Sequence, residues 1–261
     1  MPKKITTTTT TVVETTEAAR TRVTFVLDKS SSMIPLIPAT REGYNTYIKT
    51  LKDSGEDIVF TQVQFDTISI VTSPTLPIAE VPMLDHDNYK PMGGTPLIDA
   101  AVKAILATET AAKPHEKVIV CIQTDGEENS SVEYKMADLH QIIKRLSAKG
   151  WQFNFMGTGI DAYKQGEAMG ISRASTMTYG QSVGETRSAF YSSASNTSAF
   201  AAGAASSTEY SGMQKLQAGD PTAQGGPGGA AGALGTALGG VGKVQTKVTP
   251  IKPLVDTPKI D

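Results

Sequence analysis

Asp28, Ser30 and Ser32 alternate within Phe25-Val26-Leu27-Asp28-Lys29-Ser30-Ser31-Ser32-Met33, directly after an apolar run, and so offer three oxygen ligands near one point. Two later segments can complete a shell around a cation. They are Gly93-Gly94-Thr95-Pro96 and Thr124-Asp125-Gly126, the second following the apolar run Val118 to Ile122. Five oxygen side chains with no His and no Cys suit a hard ion, magnesium or manganese. Three of the five are neutral hydroxyls, so only two carboxylates offset a divalent charge. Magnesium keeps waters readily, which leaves an exchangeable position that an outside Asp or Glu can fill. This is binding chemistry without a nucleophile.

The elements that must position these residues alternate between strand and helix signals, which predicts an α/β sheet with helices on both faces. Strands are expected at Arg22 to Leu27, Ile58 to Phe65, Ile68 to Thr72, Val118 to Gln123, Trp151 to Met156 and Ser175 to Thr178, six in all. Only Asp66 and Thr67 separate the second and third, so that pair must be an antiparallel hairpin. Helices are expected at Tyr44 to Leu51, after Pro35 and Pro38; from Thr95-Pro96, where a Thr cap precedes a first-turn Pro; and through Val132, Met136, Leu139, Ile143 and Leu146, opened by a Ser130/Glu133 capping box. Asp161 to Met169 and Val183 to about Ala199 supply two more.

The three oxygen-bearing segments, in this order, resemble the metal-ion-dependent adhesion site of the von Willebrand factor A domain family, whose pattern is Asp-x-Ser-x-Ser, a distant Thr, then Asp-Gly. The resemblance covers roughly residues 20 to 200. It implies a doubly wound, Rossmann-like, mostly parallel six-stranded sheet with one antiparallel edge strand. It also implies that Asp28 and Asp125 emerge side by side at the crevice where strand order reverses. In the family's manner Ser30 and Ser32 would bind the metal directly, Thr95 directly or through water, and Asp28 and Asp125 often through water. Some intracellular members work with an AAA-type ATPase, which makes an adaptor role a second expectation.

Other chemistries fit less well. Gly93-Gly94-Thr95 is not followed by the Gly-Lys-Ser/Thr of a phosphate loop. A phosphate-accepting Asp28 would want an acid two residues on, where the chain has Ser30. The serines lack the Gly-flanked turn of a hydrolase. His86, His115 and His140 are isolated. Glu127, Glu128 and Asp161 read as loop charges or a helix cap near the site, and Cys121, the single cysteine, as a buried small hydrophobe. No catalysis is expected.

The chain has 261 residues, with 24 Lys and Arg against 26 Asp and Glu, a balance that argues against a nucleic-acid surface. It lacks an apolar stretch of the ~20 residues a membrane span needs, and its start lacks a signal-peptide core, so a cytoplasmic protein is expected. Residues 1–19 read as a flexible Thr-rich arm. Residues 201–261 read as an Ala/Gly/Ser- and Pro-rich disordered tail that buries too little to offset its ordering entropy. These tails raise a third expectation, a structural or assembly protein, such as a phage-encoded one, that pins neighbouring copies.

Overall fold

The computed structural model describes residues 19–224. The N-terminal arm before residue 19 and the stretch 225–261 lie outside the described residues. Strand β1, Thr21–Asp28, is the centre of the sheet and is buried along its whole length. It pairs in parallel with β2, Ile58–Phe65, on one side and with β5, Lys117–Thr124, on the other. Two short strands, β3 (Ile70–Thr72) and β4 (Leu76–Pro77), run antiparallel to β2 at that edge. Beyond β5 come β6, Gln152–Gly157, and β7, Thr176–Thr178, both parallel. The order is β3-β2-β1-β5-β6-β7 with β4 also on β2. The expected six strands are therefore seven. The extra one is two residues ending in a proline, too short to carry a sequence period.

Helices cover both faces, as a parallel sheet requires. On one face lie α1 (Ile37–Ser54) and α5 (Val183–Ala201); on the other lie α2 (Leu97–Ala111), α3 (Met136–Ser147) and α4 (Ala162–Met169). The alternation of β1 sends Val23, Phe25 and Leu27 into the first layer and Val26 into the second. Phe25 meets Tyr47 edge-on at 5.0 Å between ring centroids and stacks on Phe190 of α5 at 5.9 Å. Gly43 lets α1 come this close to α5, since a Cβ there would sit 2.7 Å from the Phe190 ring. Pro38 lies in the first turn of α1, where its missing N–H costs nothing, so this helix begins well before the expected Tyr44.

Packed structure also continues past residue 200, where the sequence reading ended the domain. Tyr210, Ala218 and Asp220 are buried, and a short helix α6, Gly212–Gln217, follows a Ser211/Gln214 capping box. Asp220 accepts from Tyr163 Oη and from the Thr178 amide, the latter at 3.2 Å. Composition concealed this segment because a buried carboxylate and a tyrosine, rather than an apolar stripe, anchor it.

Candidate metal centre

The order of the sheet reverses between β1 and β5, and the register pairs Leu27 with Gln123. The two strands thus deliver Asp28 and Thr124-Asp125 to one crevice beyond their carboxyl ends, the usual ligand position in such sheets. Asp28 is fully buried. Its Oδ1 accepts from the Ser30 amide at 2.7 Å and its Oδ2 from Thr124 Oγ1 at 2.5 Å. Tyr89 Oη donates to the Asp28 carbonyl at 2.8 Å and pins the end of the strand. Ser30 Oγ lies 3.0 Å from Ser32 Oγ, which donates to Asp125 Oδ1 at 2.7 Å. A Cβ placed on Gly126 would be 2.9 Å from Thr95 Oγ1 and 3.5 Å from Ser32 Oγ, so both hydroxyls border the space beside Gly126. The structure brings all five sequence-predicted residues together.

Electrostatically the site is short of positive charge. Among the described residues, neither Asp28 nor Asp125 takes part in an ion pair. Burial pushes the Asp28 carboxyl up to about 6, against the hydrogen bonds from Thr124 and Ser30, and the charge of Asp125 adds to the rise. Burial also raises Asp125, against the hydrogen bond from Ser32. Two carboxyls and three hydroxyls converging without a basic partner form an all-oxygen donor set that a hard divalent ion fits.

The surroundings correct four sequence expectations. Thr95 does not cap α2 with its side chain. The loop after β5 does so instead: Glu128 Oε2 accepts from the Ile98 amide at 2.8 Å, and Ser131 Oγ from the Asp99 amide at 3.0 Å. Glu128 is therefore a cap and not a free loop charge, and the Thr95 hydroxyl is left for the crevice. The Ser130/Glu133 capping box is absent, because α3 starts only at Met136 and the amides of Val132, Glu133 and Tyr134 turn to the Asp99 carboxylate. Burial of Asp99 works against its ionised form, but these amides outweigh it and hold the carboxyl below its usual range. Val132, expected on the buried helical stripe, is 89% exposed.

Sequence reasoning also missed Thr124 and the Lys29–Asp66 pair. Thr124 was findable, as the hydroxyl next to Asp125 at a strand end. Lys29 Nζ lies 3.0 Å from the buried Asp66 Oδ2, joining the end of β1 to the β2–β3 turn. Asp161 caps α4, accepting from the Lys164 amide at 3.0 Å. Cys121 is buried beside Ser193, and burial pushes its thiol up to about 12. A second acidic group, Asp85, His86 and Asp87, brings ligand atoms within 4.8 Å of one another but is wholly exposed. No helix of the described residues is long and apolar enough to cross a membrane.

No protein-family model matches the chain, and no curated protein does. Solved structures do match. A von Willebrand factor type A structure from Catenulispora acidiphila superposes with a TM-score of 0.52 at 17% identity, covering 69% of this chain and 43% of that one. The pilus adhesin SpaC from Lactobacillus rhamnosus GG gives 0.54 at 11% identity over 69% and 31%. A D319A mutant of the PilB minor pilin from Streptococcus sanguinis gives 0.54 at 13% over 74% and 65%. The chain spans less than two thirds of each of these three. Likeness at such identities concerns the fold.

Proposed function

We propose that this domain of von Willebrand factor A fold is a divalent-metal-dependent protein-binding module. Ser30, Ser32 and Thr95 would hold magnesium or manganese, with Asp28 and Asp125 behind them. The observation that carries this reading is the convergence of Ser30, Ser32 and Asp125 hydroxyl and carboxylate oxygens, with Thr95 Oγ1 nearby and, among the described residues, no basic side chain paired to either acid. When bound, the ion supplies an electrophilic position for a partner's Asp or Glu. The protein's own residues do the rest. Thr124 and the Ser30 amide orient Asp28, Ser32 orients Asp125, and the buried floor keeps water from screening the charge. The proposed role is recognition, with the Ser32 and Thr124 hydroxyls serving to orient the two carboxylates. That the fold also occurs in a pilus adhesin and a minor pilin agrees with a binding role.

The test is calorimetric titration of magnesium and manganese into wild type and Asp28→Ala, followed by affinity capture with each bait, with magnesium and with chelator. Metal binding lost in Asp28→Ala, and a partner retained only by wild type with magnesium, support the reading. Equal metal binding by both proteins sinks it.

A further inference from the structure

Four consecutive residues, Met92 to Thr95, carry the third arm of the site, and the structure grips each of them. The Met92 amide donates to the Lys29 carbonyl at 2.8 Å, and the Gly93 carbonyl accepts from the Ser31 amide at 2.9 Å. The Gly94 amide donates to Thr67 Oγ1 at 3.0 Å. The Thr95 amide donates to Asn129 Oδ1 at 2.9 Å, and the Thr95 carbonyl accepts from the Asn129 amide at 3.2 Å, closing a two-bond ring. The glycines leave no slack. A Cβ on Gly93 would run into Thr67 Oγ1, and one on Gly94 would sit 2.5 Å from Ser130 Oγ.

Two of these grips come from side chains on separate loops. Thr67 sits in the β2–β3 turn, which Asp66 holds by accepting from the Ile68 and Ser69 amides at 2.7 and 2.8 Å while pairing with Lys29. Asn129 sits on the loop that also carries Asp125. Thr95 is therefore tied to the Asp125 loop through Asn129, and its neighbour Gly94 to the β2–β3 turn through Thr67, a turn that the Asp66–Lys29 pair joins to the end of β1.

We infer that Thr67 and Asn129 are positioning residues that fix Thr95 and so make the cation site prefer a small ion to a large one. The inference rests on the metal-binding reading above. Magnesium takes oxygens at about 2.0–2.1 Å and calcium at about 2.3–2.6 Å, so a ring that accepts calcium must open by several tenths of an ångström. A Thr95 held by Asn129, with the preceding Gly94 held by Thr67, resists that opening. Released on one side, it yields, weakening the small ion and readmitting the large one.

The experiment is calorimetric titration of magnesium and of calcium into the full chain as wild type, Thr67→Val, Thr67→Ser, Asn129→Ala and Asp28→Ala, with the metal-free melting temperature of each. Thr67 and Asn129 are exposed, so neither change opens the core. Outer-shell partners commonly affect metal affinity by about 10–100-fold, and we expect about a tenfold loss of magnesium affinity in Thr67→Val and Asn129→Ala. The magnesium-to-calcium affinity ratio should fall with it, and Thr67→Ser should restore both. An unchanged ratio in Thr67→Val and Asn129→Ala overturns the inference, as does a loss that Thr67→Ser fails to rescue. If Asp28→Ala binds magnesium like wild type, the metal reading itself fails, a result distinguishable from the others.

Discussion

Thr124 Oγ1 donates to Asp28 Oδ2 at 2.5 Å across the seam between β1 and β5, inside a site where, among the described residues, no basic side chain pairs with the acid. The hydrogen bond limits the cost of burying Asp28 without removing it, since the carboxyl still sits at about 6. An acid whose folded value is raised contributes stability that is complete below its unfolded value, near 3.9, and is lost as pH rises through about 6. Metal-free wild type should therefore lose stability relative to Asp28→Asn between pH 4.5 and 7, by about 2 kcal/mol. Magnesium should reverse this in wild type alone, more strongly at pH 7 than at pH 5. Thermal melts of both proteins across pH, with and without magnesium, measure it.

Gly126→Ala should lower magnesium affinity at least about tenfold while leaving the fold intact. The added methyl lands 2.9 Å from Thr95 Oγ1 and 3.5 Å from Ser32 Oγ, on the donors themselves and away from the core. Calorimetry paired with far-UV circular dichroism separates the two effects. Unchanged affinity would mean that Thr95 does not contribute to the shell.

Glu128→Ala should destabilise the domain by about 1–3 kcal/mol, because it strips the acceptor from the Ile98, Ser130 and Ser131 amides together. For a domain of this size that is roughly a 2–4 °C drop in melting temperature per kcal/mol. Glu127→Ala, one residue away and exposed, should change it little. Equal melting temperatures for the two variants would show that the capping is not used.

Arg22 and Glu116 form a two-pronged ion pair, at 2.8 and 3.2 Å, with side chains only 9% and 6% exposed. Breaking such a pair from one side leaves an uncompensated buried charge, so Arg22→Met should cost about 3–5 kcal/mol by chemical denaturation. The double change Arg22→Met with Glu116→Gln should recover much of it. A double variant as unstable as the sum of its parts would contradict this.

The sequence carried most of the strands and the convergence of five oxygen side chains because each rests on local spacing: Asp28, Ser30 and Ser32 on alternation after an apolar run, Thr95 and Asp125 on position at the start of a helix and the end of a strand. What it hid is cross-loop. Glu128 and Asp99 cap each other's segments from about 30 residues apart, a separation read from Ile98 to Glu128 and from Asp99 to Val132. No short window contains both partners, so Ser130 and Glu133 looked like the local cap they are not. Likewise the Ala- and Ser-rich run after residue 200 looked unable to fold. It folds because Tyr210 and Asp220 find partners in β7, α4 and the core.

That last segment bears on how α5 is held. Lys117 Nζ donates to the Phe200 and Ala201 carbonyls at 3.0 and 2.8 Å, Asn196 bonds to the Glu209 carbonyl and to Gln214, and the Gly180 amide bonds to the Ala218 carbonyl at 2.9 Å. The closing helix α5 is thus fastened at its end, along its flank and through the strap that follows it. Sliding it along its axis would break the Lys117 and Asn196 contacts together and drive Phe190 past Gly43. The segment after residue 200 thus acts as a strap that ties the end of α5 to the body of the sheet.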